Sequence, residues 1–287
     1  MSLKGKAPRA GVIKCKNKEC RKQYTVTVAT IFHSSHVPLR KWIAAYWLMC
    51  SAKKGYSANQ LSRDVDVTYK TAWFMAHRIR HAMRYNSFKK LDGDVEVDET
   101  YVGGKAKNKR QSYHARKKRE KEQRKTGKNS TKVPVMALVE RDGSVKSQVL
   151  YRVSAKKLRT AIELYVDPKA TVHTDELPLY RGIGHKFAGG HKTVNHSINE
   201  YVNGDCTTNT VESYFALLKR GVIGIYHHVS TTHLQRYCDE FVFRWDHRKL
   251  SIEEAFNRAL QLSDGKRLSY KGRIKRFADK SWWRSDI

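Results

Sequence analysis

The sequence predicts a mixed α/β domain preceded by a small helical one, and three observations carry that expectation. Apolar residues make up 40% of the 287 positions, enough to bury a core and too many for a purely disordered basic chain. Residues 39–88 hold three short patterns of helical period. From about residue 92 the period changes to two, and strands come first before helix and strand alternate, the order expected of one sheet layered with helices.

The elements follow in order. Residues 1–38 are basic, with one β-like stretch at Tyr24-Thr25-Val26-Thr27-Val28. Leu39, Trp42, Ile43, Tyr46, Trp47 and Cys50 keep the spacing of a single buried helical stripe. Gly55 ends that helix, and Ser57 caps a second one reaching about Asp64. After Val65-Asp66-Val67, Thr68 caps a third helix with Ala72, Ala76, Ile79 and Met83 inward, which puts Lys70, His77, Arg80 and Arg84 on the outside. Two short helices, a tight turn and a basic third helix read as a helix-turn-helix over 39–88, with Lys70, Arg80 and Arg84 as its DNA-binding side chains. An ordinary three-helix bundle with a solvated basic face is the competing reading.

A catalytic-sized domain spans 92–250. Asp94-Val95-Glu96-Val97-Asp98 alternates strictly, acids on one face and valines on the other. The stretch Lys105–Lys132 holds thirteen Lys/Arg against two Glu, net +11, and too few apolar residues to pack, so it reads as a mobile basic insert over 105–132. Strands return at Val133–Val139 and Val145–Val153 around an Arg141-Asp142-Gly143-Ser144 turn. Ser154 caps a helix with Leu158, Ile162 and Tyr165 on one side; strands follow at Thr171–Asp175 and around Thr193–Ile198. A helix begins near Asn209, and a long amphipathic one with Leu234, Tyr237, Cys238, Phe241 and Trp245 closes the domain. Residues 251–287 read as a basic C-terminal extension, with Trp282-Trp283 as either a DNA contact or one anchored aromatic pair.

Charge says most about partners. Lys and Arg number 57 against 27 Asp and Glu, a net charge of +30, which calls for a polyanion. The longest apolar run, Trp42–Cys50, falls well short of the roughly 20 residues a bilayer span needs, and the N-terminus has no stretch of the signal-peptide kind. Double-stranded DNA is therefore the expected partner and a membrane is not. Five scattered cysteines suit a reducing, cytoplasmic interior better than a disulfide framework.

In so basic a chain, three carboxylates stand out. Asp98 and Asp175 end separate strands, and Glu212 lies in the first turn of a helix. Three acids meeting at one point repel unless cations bind among them, and hard oxygen donors select Mg²⁺ or Mn²⁺. Two such ions suit in-line phosphoryl transfer on a polyanion. Each acid also has a plainer reading. Asp98 fits a solvated strand face, Asp175 a turn into Glu176-Leu177-Pro178, and Glu212 a capping box begun by Asn209. Lys219 lies on the same side as Glu212, two turns on.

Beyond these acids, longer motifs carry a resemblance. Val97-Asp98-Glu99-Thr100-Tyr101-Val102-Gly103-Gly104-Lys105, His173-Thr174-Asp175-Glu176 and the run Asn209–Gly221 resemble the DDE-superfamily transposases of insertion sequences, in the group related to the Merlin elements. Val194–Ser197, Glu200–Val202, Tyr226–Ser230 and Phe243–Arg248 resemble that group as well, and Thr68–Trp73 is similar to its helix-turn-helix; together the similarity covers roughly residues 13–270. The resemblance implies an RNase H-like mixed sheet with flanking helices, two Mg²⁺ or Mn²⁺ ions on Asp98, Asp175 and Glu212, and Lys219 against DNA near the cleaved end. Members carry Asn or Glu as the third ligand, so Asn209 stands as the alternative to Glu212. It further implies element-end repeats and target DNA as partners, a homo-oligomer when two ends are paired, and a prokaryotic, nucleoid-associated setting.

Two departures bear on these expectations. The family usually opens with a zinc ribbon of two cysteine pairs, whereas the chain starts too late for the first pair and four residues separate Cys15 from Cys20. Tetrahedral zinc needs four ligands; His33 and His36 could complete a set with the two cysteines, but count and spacing weigh against it, so zinc is not expected. Asp66 stands where the turn of the helix-turn-helix often has Gly, in a conformation Asp tolerates better than most residues. The leading expectation is a transposase that frees a 3′-hydroxyl and joins it to target DNA. A non-catalytic DNA-binding protein is the alternative, and a general RNase H-like nuclease a third reading.

Overall fold

The computed structural model describes residues 11–84, 89–103, 132–194 and 207–268. The basic insert, the Trp282-Trp283 pair and the Glu200-Tyr201-Val202 segment lie outside the described residues. The chain forms two compact units, one of Met1–Ala52, Ala58–Tyr85 and Ser251–Ile287, the other of Lys53–Ser57 and Asn86–Leu250.

In the first unit, β1 (Ile13–Lys14) and β2 (Gln23–Tyr24) make a short antiparallel hairpin. Helix α1 (Leu39–Ser51) buries Trp42, Ala45, Tyr46 and Met49. That stripe is rotated from the expected one: Leu39, Ile43 and Trp47 lie outside, Trp47 44% exposed with its ring edge-on to Phe256 at 5.5 Å. Both stripes obey helical spacing, so the pattern fixed the period but not the phase. Helix α2 (Ala58–Asp64) meets α3 (Tyr69–Met83) through Asp66 at φ +50°, and the Thr68 hydroxyl accepts the Thr71 N–H at 3.3 Å. These are the turn and cap that the sequence led one to expect.

The outer face assigned to α3 needs correcting. Ala72, Ala76, Ile79 and Met83 are buried as expected, but so are His77, Arg78 and Arg80, the last only 2% exposed. Arg80 follows Ala76 by one turn and precedes Met83 by one, so it shares their side of the helix. The helix packs against α1 and α2 and also against α7 (Ile252–Gln261), and from Met75 to Met83 nearly all of its residues are buried. Lys70 is exposed and Arg84, at the C-cap, is half-buried. The start of the segment read as a C-terminal extension is thus a packed helix. Ser251 and Glu254 close a full capping box at its start, and the Ser263 hydroxyl lies 2.6 Å from the Tyr46 hydroxyl.

The second unit is built on a five-stranded sheet. Its strands are β3 (Asp94–Val102), β4 (Val133–Glu140), β5 (Val145–Val149), β6 (Thr171–Asp175) and β7 (His191–Val194), in the spatial order β5-β4-β3-β6-β7. The first three form an antiparallel meander, and β6 and β7 add in parallel on the other side of β3. Helix α4 (Ala155–Tyr165) makes the crossover and packs Leu158, Ala161 and Ile162 on Val95, Val97, Met136 and Leu138. Helices α5 (Asn209–Gly221) and α6 (Leu234–Asp246) cover the opposite face through Val211, Tyr214, Leu218, Cys238 and Phe241. A central strand flanked by an antiparallel meander and two parallel strands, with helices on both faces, is the RNase H-like mixed α/β sheet expected. Asp142 at φ +57° makes the β4–β5 turn. Along the β5 edge, Gln235 and Asp246 of α6 accept the Val149 and Val145 N–H groups at 2.8 and 2.9 Å, which shields that edge from pairing elsewhere. No helix among the described residues is long and apolar enough to cross a membrane.

Candidate active site

Strand alternation sends Val95 and Val97 to the α4 face and Asp94, Glu96 and Asp98 to the α5 face. The parallel register pairs Glu96 with His173, so Asp98 and Asp175 each lie two residues further along neighbouring strands and on one face. Helix α5 runs over that face and carries Glu212 in its first turn and Lys219 in its last.

The electrostatics of Asp98 register all four expected residues at once. Its carboxyl is pushed up to about 6, first by burial and then by the Asp175 and Glu212 carboxylates, while the Glu99 N–H and the Lys219 ammonium pull the other way. The Glu99 N–H donates to Asp98 Oδ1 at 2.7 Å. Asp98, Asp175, Glu212 and Lys219 are therefore brought into one neighbourhood. Among the described residues, no three His, Cys, Asp or Glu side chains form a ready-made ion cage.

The plainer readings of these acids come out unevenly. Asp175 Oδ1 does accept the Leu177 N–H at 3.3 Å, so its turn role is real and leaves Oδ2 outside that bond. The capping box around Glu212 is different from the one expected. Helix α5 starts one residue earlier, with Thr208 as N-cap and Asn209 already in the helix and exposed. The Thr208 hydroxyl makes no cap bond and donates instead to Glu212 Oε1 at 3.3 Å. The orphan amides at the helix start are taken by Glu96: Thr210 N–H and Val211 N–H donate to its Oε2 at 2.7 and 3.0 Å.

Glu96 is 0% exposed, so the acidic face of β3 is solvated only at its start, where the Asp94 side chain is 44% exposed. Its Oε1 accepts from the Thr207 and Thr210 hydroxyls, each at 3.1 Å, and pairs with Arg141 Nε at 2.9 Å. Arg141 also approaches Asp94 at 3.8 Å, and Asp94 holds buried His173 Nε2 at 2.7 Å. Burial keeps the His173 imidazole below its usual range, partly offset by that carboxylate.

A second group escaped the sequence reading. Glu99 lies just past Asp98, and its carboxyl is pushed up to about 7 by burial and by Asp98 and Asp175, against a hydrogen bond donated by the Tyr180 hydroxyl. Tyr180 is fully buried in a short 3₁₀ turn, Pro178–Tyr180, just after β6, so this bond ties the loop beyond Asp175 to the strand carrying Asp98. The available signal was an acid on the valine face of β3, which demands a partner.

Comparison with known proteins places the chain among transposon-encoded proteins. An uncharacterized protein in transposable element ISH50 of Halobacterium salinarum is 28% identical over 246 residues, covering 85% of this chain and 82% of that protein. Two solved structures, a pre-cleavage Mos1 transpososome and a Mos1 transposase paired-end complex with left transposon end, each cover 83% of this chain and 82% of their own. Both are 12% identical to this chain, with a TM-score of 0.28. The family model of the ISXO2-like transposase domain matches residues 90–246, from just before β3 to the end of α6. More than half of the chain, and the whole sheet with its candidate carboxylates, lies inside that match, so the chain belongs to the ISXO2-like transposase domain family of the DDE superfamily.

Proposed function

We propose that the chain is an active transposase, cutting DNA at element ends and joining the freed end to target DNA at a site made by Asp98, Asp175 and Glu212. The observation that carries this reading is the convergence of Asp175, Glu212 and Lys219 on half-buried Asp98. All the donors are hard oxygens and the negative charge is only partly offset, a set that fits Mg²⁺ or Mn²⁺ and gives zinc no thiolate or imidazole. The chemistry such ions supply when bound is activation of the attacking oxygen and stabilisation of the leaving one in in-line phosphoryl transfer.

The chain's own residues divide the remaining tasks. Asp98 and Asp175, on adjacent strands of a rigid sheet, hold two of the carboxylates in fixed relation, and α5 delivers the third. Exposed Lys219 offers a cation to a phosphate of the bound end. Hydrolysis breaks one phosphodiester and leaves a 3′-hydroxyl. That hydroxyl then attacks a target phosphodiester, forming one new bond and releasing a target 3′-hydroxyl. Lys70, exposed one residue inside α3, is the candidate base-edge contact, with half-buried Arg84 as a phosphate contact. Element ends, target DNA and a second copy of the chain are the partners, with the net charge of +30 as the support for a DNA duplex.

The test is cleavage and strand transfer by the full chain on duplex DNA carrying an element end, with Mg²⁺. Asp98→Asn, Asp175→Asn and Glu212→Gln should each reduce both reactions by orders of magnitude while end binding persists. Near-normal cleavage by any of the three would overturn the assignment, and specific end binding without cleavage by the unmodified chain would favour the non-catalytic reading.

A further inference from the structure

We propose that Glu96 is a positioning residue for the active site: from β3 it holds the start of α5 and thereby sets where Glu212 stands relative to Asp98. The inference rests on the three-carboxylate reading above and adds a residue that the reading does not contain.

The argument begins from what a helix start needs. The first amides of α5 have no partners within the helix, and the usual remedy is a Ser, Thr, Asp or Asn at the N-cap bonding locally. Thr208 is of the right type, yet its hydroxyl turns to Glu212. The amides of Thr210 and Val211 go instead to a carboxylate 114 and 115 residues away in sequence, on the central strand of the sheet. Two parallel bonds to one carboxylate oxygen, with two threonine hydroxyls and the Arg141 guanidinium on the other, restrict both the rotation of α5 and its height over the sheet. A local cap would satisfy the same amides without fixing either.

The position of the anchor gives it a functional consequence. Glu96 and Asp98 share one face of β3, a single pleat repeat apart. Glu212 immediately follows Val211, whose amide Glu96 holds. One strand thus supplies a candidate ligand and, two residues before it, the clamp on the helix that delivers another. A full burial of Glu96 would be a poor choice for stability alone, because a buried carboxylate needs every one of these partners to offset its desolvation.

Hydrogen exchange and metal binding on the full chain together test this. Glu96→Gln turns one acceptor into an NH₂ facing donors. It should speed exchange in the segment 207–214 while β3 and β4 stay protected. It should also weaken Mn²⁺ binding, measured with the metal alone by electron paramagnetic resonance, by roughly 10- to 100-fold. The double variant Glu96→Gln/Glu212→Gln should bind Mn²⁺ no more weakly than Glu212→Gln alone, since both act through one carboxylate. Thr210→Val removes a single hydroxyl donor to Oε1, keeps the fold at less risk, and should shift both readouts in the same direction by a smaller factor. A lower melting temperature with unchanged Mn²⁺ affinity, or fully additive losses in the double variant, would overturn the positioning role. If Asp98→Asn and Glu212→Gln also leave Mn²⁺ binding unchanged, the three-carboxylate reading falls, and the positioning role with it.

Discussion

Replacing Asp98 by Asn should stabilise the metal-free protein at neutral pH while abolishing cleavage. Asn keeps the acceptor for the Glu99 N–H, bonded at 2.7 Å in the parent, and removes only the charge. Burial and the neighbouring carboxylates raise this carboxyl from 3.8 to about 6 in the folded chain. A carboxyl raised on folding binds its proton more tightly in the native state, so it destabilises that state once ionised. The cost grows as pH rises from the unfolded value to the folded one and is constant above. Linkage puts it at about 3 kcal/mol at pH 7 and under about 1 kcal/mol at pH 4. Thermal melts in chelator should therefore show Asp98→Asn more stable by roughly 5–10 °C at pH 7, with the gain nearly gone at pH 4. Saturating Mn²⁺ should raise the melting temperature of the parent and leave that of Asp98→Asn almost unmoved. A variant that melts lower than the parent at pH 7, with an undiminished Mn²⁺ shift, would refute the reasoning, for Asp98 would then be a structural acid.

Glu212→Gln should lose Mg²⁺-dependent cleavage by orders of magnitude on a pre-assembled end substrate. Asn209→Ala should cleave almost normally and change stability by less than about 0.5 kcal/mol, because Asn209 is exposed and the helix-start amides are held by Glu96; a large loss on urea unfolding would restore Asn209 as a cap. Lys70→Ala should narrow the affinity difference between element-end and random duplexes in competition binding, and an unchanged ratio with uniformly weaker binding would make Lys70 a phosphate contact. Gly221→Ala should destabilise the sheet unit by about 1–3 kcal/mol in denaturant unfolding, since a Cβ there runs into the Phe241 ring and lies 2.9 Å from the Lys54 carbonyl oxygen. A silent substitution would show that α5 and α6 can separate at little cost.

How much of this was legible in the sequence depends on the range of the interaction involved. The period-two pattern of 94–98 and the caps at Thr68 and Ser154 are local, and the structure has them where the residues put them. Phase on a helix is not local. For α1 the aromatic residues satisfied two overlapping stripes, and the buried one is the stripe whose Trp42 and Tyr46 meet the Phe32 ring, with Tyr46 also bonded to Ser263, contacts that periodicity within the helix does not encode. Arg80 was readable in principle, because its spacing from Ala76 and Met83 places it inward; charge type outweighed periodicity, although a buried arginine in a well-covered helix is compatible with both.

For the site, identity and placement separate in the same way. Asp98, Asp175 and Glu212 declared themselves as strand and helix-start acids in a chain of net charge +30, although Asp98, expected to end its strand, lies at the middle of β3, which pairs with β4 on to Val102. Glu96 carried the same signature, two residues before Asp98 on the same face, and nothing local distinguished a candidate ligand from an anchor. The distinction came from the partners: Asp98 faces the Asp175 and Glu212 carboxylates with only the Glu99 N–H and Lys219 against them, while Glu96 is surrounded by donors from α5 and by Arg141. A carboxylate facing other carboxylates is unsatisfied without a cation, and one facing amides is already complete. Because the two share one face of a single strand, a shift of β3 by one register step would turn both to the opposite face and dismantle both at once. The antiparallel pairing of Asp98 with Ala137 and the parallel pairing of Glu96 with His173 hold that register from both sides, so the sheet that forms the core also fixes where the charge must gather.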